Sequence, residues 1–310
     1  MSRVMEDPFL VFDVGGSHVS AAACWGHDFR LGHVAVAPNP KVQTSVAFTD
    51  FLHELGSEAE AGCGSAVGAM LAVPGPFDLE AGISLMRHKL SFLYGVSLRD
   101  AMAGSFGWQP GQVHFLNDAA AFLLGEVGAG AARGFDRAVG ITLGTGVGSA
   151  FVVNGRLIAQ GSGIPPSGEI WNLPYEGGIV EDYVSSRAIG RRYEELTGCT
   201  RDVAGLAAAA QHDAVAEQVF VEFGAHLGRV LDTRLAGFSS EVIVVGGGIS
   251  KSAHLFLSAA RSQMRKPARE LRVSELLDRA PLVGCGVAWL AGDDSSDISA
   301  NTASAHPDAT

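Results

Sequence analysis

The chain has no CxxC pair among its cysteines, no block of Lys and Arg, and no apolar run of membrane-spanning length. Each absence excludes something. Without CxxC spacing, Cys24, Cys63, Cys199 and Cys285 indicate neither a zinc knot nor a dense disulfide framework. Reduced, mostly buried thiols in a cytosolic protein are the expectation, so the location is read as cytoplasmic. Without a basic block there is no general nucleic-acid footprint. The net charge of −11 mainly suits solubility, and an anionic nucleotide would need locally placed backbone donors and a metal. No spanning helix and no membrane partner are expected. Residues 1–8 carry acids and no apolar core, so they do not read as a signal peptide.

What is present is enough for two ordinary domains. The 310 residues are 47% hydrophobic and 18% charged, a globular balance. The 40 glycines follow no collagen period and must serve turns and close backbone approaches. Periodicity predicts strands at 9–14, 19–23, 66–73 and 113–116, and helices at 44–55 and 98–106. A second block follows: helix over 119–128, strands at 138–143 and 149–153, long helical stretches in 203–235, a strand at 242–245 and a helix over 249–264. The polar, small-residue tail 293–310 reads as disordered.

One weak repeat links the two blocks. Residues 12–21 and 142–150 both read as strand, small-residue turn, strand, which suggests two similar lobes. The turns are Gly15, Gly16 and Ser17 in one copy and Gly144, Thr145 and Gly146 in the other. Such turns let backbone N–H groups approach an anion, and hydroxyls add donors. Asp13 precedes the first turn and could hold Mg²⁺, usually through water, beside nucleotide phosphates. Either hairpin alone reads as a plain β-turn; the pair, with Asp13, favours phosphate binding. A third cluster, Gly246, Gly247 and Gly248, follows a strand and precedes a helix, where α/β proteins lay nucleotides. It is not GxGxxG, so a dinucleotide-binding domain is a weak alternative.

Asn117 and Asp118 end a strand and open a helix. Asp118 there can serve as the general base for an attacking hydroxyl, with Asn117 orienting it. Either residue can equally be a helix cap, and the two readings are compatible. Glu169 and Glu181 lie in loop-like stretches, where carboxylates accept hydrogen bonds from sugar hydroxyls. As isolated residues they would read as solvated surface.

Taken in order, these segments resemble the ROK family of bacterial sugar kinases, within the actin and hexokinase superfamily. The segments are Asp13 to Ser17, Leu116 to Glu126, Leu143 to Gly148, Ser167 to Ile170, Glu181 to Ser186 and Val245 to Ile249. The resemblance runs from about Phe9 to Leu290 and implies an α/β, two-lobed actin-like (ribonuclease H-like) fold. Its mixed sheets would be flanked by helices, with the active site in the interlobe cleft. A small lobe is expected over 1–118 plus a C-terminal helix near 282–292, and a large lobe over 119–281. The resemblance further implies an ATP-dependent kinase acting on a sugar-like hydroxyl, with Asp118 as catalytic base. Asn117, Glu169, Glu181 and Gly75 would contact the acceptor. Asp13, Gly15, Gly16, Ser17, Gly144, Thr145 and Gly146 would serve the ATP phosphates and Mg²⁺. Gly247 and Gly248 would face adenosine. Family members commonly form dimers, so a homodimer is expected.

Three departures narrow the reading. The family's Cys-rich zinc loop is missing: residues 173–180 alone separate Asn172 from Glu181 and hold no Cys or His, so no structural zinc is expected. Asn172 stands where the family has a His and is kept as an acceptor contact. Lys89, beside Arg87 and His88, stands near the family's acceptor-binding Asn. A basic trio there suits an anion on the acceptor or a plain exposed loop. Ser17 and His18 replace the usual Thr-Lys. The two changed contacts, at Asn172 and Lys89, argue against plain glucose, and a modified sugar or a cyclitol would keep the hydroxyl pattern that Glu169 and Glu181 need. The alternative is a sensor or regulator of the same family without kinase activity. A DNA-binding regulator is disfavoured because residues 1–8 are too few for a helix-turn-helix.

Overall fold

The computed structural model describes residues 7–87, 90–265 and 270–292. His88, Lys89 and the tail 293–310 therefore lie outside the described residues. The chain divides into two compact units: the described residues up to Ala129 with those from Arg279 onward, and Gly130–Asp278.

The first unit is built on five strands: β1 (Phe9–Val14), β2 (His18–Trp25), β3 (Arg30–Pro38), β4 (Ala69–Val73) and β5 (Val113–Asn117). They lie in the order β3-β2-β1-β4-β5. β1 pairs antiparallel with β2 across the hairpin and parallel with β4, and β4 pairs parallel with β5. Apart from Asp13, every β1 side chain is buried, as a central strand covered on both faces requires. Helices α1 (Ser45–Glu60), α2 (Leu98–Phe106) and α3 (Asp118–Ala129) complete the unit with the last helix of the chain, Ala280–Leu290. α1 starts where the Thr44 hydroxyl accepts the Ala47 N–H at 3.3 Å, and it buries Phe48, Leu52, Leu55 and Ala59 on one stripe.

The observed division falls after Ala129 instead of at Asp118, and the returning segment starts at Arg279. Packing accounts for the difference. α3 lies against the last helix so closely that a Cβ at Gly284 would overlap the Ala121 carbonyl oxygen, and one at Gly125 the Ala280 carbonyl oxygen. Backbone cannot yield there as a side chain can. Gly284→Ala is therefore expected to destabilise the first unit by about 1–3 kcal/mol, the usual cost of overpacking. A thermal melt should fall by several degrees. An unchanged melt would mean that the two helices separate without penalty.

The second unit repeats the plan with β6 (Arg137–Leu143), β7 (Val147–Val153), β8 (Arg156–Leu157), β9 (Val242–Gly246) and β10 (Glu270–Val273). Their order is β8-β7-β6-β9-β10, with an antiparallel β6/β7 hairpin and parallel β6/β9 and β9/β10 pairs. The two segments read as a repeat in the sequence thus occupy matching places in two matching sheets.

Helices α4 (Ser186–Thr197), α5 (Val203–Ala209), α6 (Ala214–Arg234) and α7 (Ala253–Gln263) belong to this unit; the Ala280–Leu290 helix is α8. The helical stretches expected across 203–235 are α5 and α6, separated by residues 210–213; the Asp213 carboxylate caps α6 by accepting the Val215 and Ala216 N–H groups at 3.0 and 3.1 Å. Val219, Phe223, Leu227, Val230 and Leu231 of α6 are buried in the core with Val139, Ile141 and Leu143 of β6. Among the described residues no helix is long and apolar enough to cross a membrane.

Candidate functional site

In the first unit, parallel pairing brings the C-terminal ends of β1, β4 and β5 to one sheet edge. Asp13 lies opposite Ala72, and Val73 opposite Asn117. Asp13, the Gly75 loop after β4, and Asn117 with Asp118 therefore share that edge, where open α/β sheets place ligands. The β1/β2 turn is tight: the Gly15 N–H donates to the His18 carbonyl at 3.0 Å, and a Cβ on Gly15 would stand 2.8 Å from that oxygen. Asn39, at the end of β3, braces it. Its Nδ2 donates to the Gly15 carbonyl at 2.7 Å and its N–H to the Ser17 carbonyl at 2.9 Å. Sequence reasoning missed Asn39, which is remote from the motif and follows a strand that was not predicted. Gly16 and Ser17 are exposed at the tip, with Ser17 Oγ 2.9 Å from His18 Nδ1.

Asn117 and Asp118 divide the tasks at the start of α3. Asn117 Oδ1 accepts the Ala119 and Ala120 N–H groups at 3.0 and 3.2 Å, so Asn117 is the helix cap. Its amide nitrogen is the atom that can donate to an acceptor. Asp118 opens the helix, half-buried, with Oδ1 2.8 Å from the Ala119 nitrogen. A carboxylate on the first turn is favoured by the helix dipole.

The second unit builds its edge from β6 and β9, with Gly246 opposite Thr142. In the β6/β7 turn the Gly144 N–H donates to the Gly146 carbonyl at 3.0 Å, and Thr145 is exposed. Gly247 packs straight onto this strand end. Its φ is +81°, and a Cβ there would come within 2.7 Å of the Leu143 nitrogen. Gly248 follows, exposed. The helix expected directly after it is a 3-10 turn, Gly248–Ser252, leading into α7. Ser250 stabilises that turn, its hydroxyl donating to the Gly247 carbonyl at 2.7 Å.

Glu181 belongs with this turn. Its Oε2 accepts the Val147 N–H at 3.2 Å and lies where any Cβ on Gly146 would have to go. Its Oε1 is paired with Arg187, and the side chain is 20% exposed. The Ser186 N–H donates to the Gly144 carbonyl at 2.8 Å, closing the link. Arg187, six residues beyond Glu181 on α4, was not predicted. Glu169 is half-buried, with Oε2 accepting Trp171 Nε1–H at 3.0 Å. Ser149 on β7 fixes that segment, donating to the Gly168 carbonyl at 2.6 Å and accepting the Ile170 N–H at 3.2 Å. Asn172 is exposed. Lys89 lies outside the described residues. Its neighbour Arg87 is exposed, its guanidinium 4.4 Å above the Tyr94 ring and 2.6 Å from the Tyr94 hydroxyl.

Among the described residues no group of three or more His, Cys, Asp or Glu side chains gathers to hold a metal. Asp13 suits a different kind of ion. Mg²⁺ keeps several waters and takes one or two carboxylates plus phosphate oxygens, and a single hard oxygen donor beside a glycine turn fits that donor set.

Two α/β units, each with a glycine turn between its first two strands, define a recognisable class. The ROK family model matches residues 10–293, and the chain belongs to that family. It is 25% identical over 297 residues to the N-acetyl-D-glucosamine kinase of Yersinia enterocolitica, covering 86% of this chain and 91% of that one. It is 30% identical over 215 residues to the glucokinase of Thermotoga maritima, covering 62% and 67%. Among solved structures, the ROK hexokinase of Thermus thermophilus aligns at a TM-score of 0.76 and 26% identity, covering 93% and 99%. The fold is accordingly the two-lobed, actin-like class expected from the sequence, with mixed sheets flanked by helices.

Proposed function

We propose that this protein is an ATP-dependent kinase that phosphorylates a hydroxyl of a sugar or a sugar-like cyclitol. One observation supports it most: a half-buried Asp118, on the first turn of a helix capped by Asn117, shares a sheet edge with Asp13 and the Gly15–Ser17 turn. Base and phosphate-binding turn in one unit are what hydroxyl phosphorylation needs. The relatives named as sugar kinases agree.

In this reading Asp118 takes the proton from the acceptor hydroxyl as its oxygen attacks the γ-phosphorus of ATP. The Asn117 amide orients that hydroxyl. Glu169, Glu181, Asn172, Gly75 and Lys89 hold the others. Gly15 and Gly144 shape the two turns through their own N–H bonds, and the backbone N–H groups of Gly16, Ser17, Thr145 and Gly146 meet the phosphates. Gly247 and Gly248 face adenosine, with open space only beside Gly248. Held beside Asp13, Mg²⁺ would neutralise phosphate charge. Asn172 and Lys89 favour an acceptor other than plain glucose. Cys24 and Cys285 are buried, but Cys63 is half-buried and Cys199 exposed, so the thiols are less buried than expected; we take the protein to be cytoplasmic and its working form to be a homodimer.

The test is ADP release with Mg-ATP against hexoses, N-acetylated hexosamines, sugar phosphates and C7 cyclitols. Strong turnover with one acceptor is expected. No acceptor-dependent turnover across the panel would overturn the kinase reading as stated.

A further inference from the structure

Between Glu169 and Glu181 the chain folds into a small antiparallel hairpin, Pro174–Tyr175 against Gly178–Ile179. Two bonds tie the glutamates' segment to it: the Val180 N–H donates to the Leu173 carbonyl and the Glu181 N–H to the Trp171 carbonyl, each at 3.0 Å. The hairpin is anchored in turn to α6. Tyr175 is 7% exposed and packs edge-on against Tyr183 and His226, at 5.2 and 5.7 Å between ring centroids. Its hydroxyl lies 2.9 Å from His226 Nδ1 and accepts from Arg229 Nε at 3.1 Å. Arg229 Nη2 also reaches His226 Nδ1, at 3.0 Å. Arg234, at the end of α6, donates to the Pro174 carbonyl.

The donors fix the protonation state of the ring. Arginine only donates, so His226 Nδ1 accepts from Arg229. Tyr175 receives the Arg229 Nε–H, and its hydroxyl lies beside the same ring nitrogen. The Arg229 contact calls for a neutral imidazole carrying its hydrogen on Nε2. A proton on Nδ1 would displace the Arg229 N–H and stand beside a fixed guanidinium. The charged groups around the ring are Glu222 and Arg229 on α6, Glu176 on the hairpin and Arg192 on α4, with Tyr175 and Tyr183 as the other titratable neighbours. Burial first, then Arg229, lowers the pKa of His226 from its ordinary 6.5, the direction this geometry requires.

We propose that Tyr175, His226 and Arg229 are positioning residues that set acceptor affinity by holding the Glu169–Glu181 segment, and that protonation of His226 releases it. The affinity part rests on the kinase reading; the holding part does not. Because the folded-state pKa is lowered, the unfolded chain binds more protons in the window below 6.5. Stability from the cluster is therefore present above that window and lost as pH falls through it.

Two variants and two readouts test this. Tyr175→Phe keeps the ring and removes the hydroxyl. His226→Asn keeps an acceptor near the Nδ1 position and cannot titrate. With the full chain, the acceptor KM of Tyr175→Phe should rise by about fivefold to tenfold, while ATP KM and kcat stay within about twofold. The wild-type acceptor KM should rise on acidification from pH 7 to pH 5, and that rise should vanish in His226→Asn. Backbone amide exchange across residues 169–183, corrected for intrinsic pH dependence, reads the holding without any substrate. It should quicken in Tyr175→Phe and, for wild type, at low pH, but not at low pH in His226→Asn. Unchanged exchange in Tyr175→Phe overturns the proposal whether or not the protein is a kinase. Faster exchange in a protein that phosphorylates no acceptor supports the holding and overturns the kinase reading and, with it, the affinity part. Equal rises in ATP KM and acceptor KM would mark a merely structural role and also overturn the affinity part.

Discussion

Asp118→Asn is expected to lower kcat by about 10²–10⁴-fold, the usual contribution of a positioned general base. Asparagine has the same shape, and its side-chain oxygen can keep the contact with the Ala119 nitrogen. Asn117 still caps α3 through two N–H groups, so the helix survives. Losing a carboxylate from the first turn should cost only about 0.3–1 kcal/mol of dipole interaction. Neither the fold nor the phosphate turn depends on the charge, so ATP affinity measured by calorimetry should stay within about twofold. Pre-steady-state ADP formation with saturating acceptor separates chemistry from product release. If kcat falls less than about tenfold, Asp118 is a helix-start residue and no more. If ATP binding is lost as well, the carboxylate serves the nucleotide, and the base must be sought elsewhere.

The residues of this first edge were the easiest to read because each motif is local. Asp13 and its turn are contiguous, as are Asn117 and Asp118, and strand pairing needs only buried apolar runs to bring them together. α2 matched expectation at both ends because Ser97 caps its start and Gly107, at φ +74°, ends it. β3 left little signal: it is an edge strand, Ala35 is its only buried residue, and Gly32 and His33 interrupt its apolar run. α4 went unread because Ala188, Ile189 and Tyr193 are its only buried residues among seven charged or small polar ones. The anchoring of Glu181 was illegible for another reason. Its bond to the Val147 N–H spans 34 residues, and nothing in either segment points to the other. The same holds for Tyr175 and Arg229, 54 residues apart. Local chemistry names the candidates, while the pairings that hold them appear only in the folded chain.

Gly146→Ala tests the one long-range pairing on which the second unit's site most depends. The backbone at Gly146 is outside the positive-φ region, so alanine meets no conformational barrier there. Its Cβ would instead overlap Glu181 Oε2. A carboxylate end can swing aside, so the cost to folding should be small, within about 1 kcal/mol. The cost to function should be large, because moving Glu181 breaks its bond to the Val147 N–H and strains its pairing with Arg187 at once. On the proposed roles, the phosphate turn would lose its brace and the acceptor a carboxylate in the same event. We expect kcat/KM to fall by about 100-fold for the acceptor, with a rise in ATP KM that Tyr175→Phe does not show. Adding Glu181→Asp, one methylene shorter, removes the overlap and should recover about tenfold of the loss in the double variant, a coupling that separate effects would not give. If Gly146→Ala leaves both substrates' parameters unchanged, the contact between Glu181 and the turn has no part in turnover. If it shifts the acceptor KM alone, the turn binds no phosphate, and the repeat between the two units is architectural only.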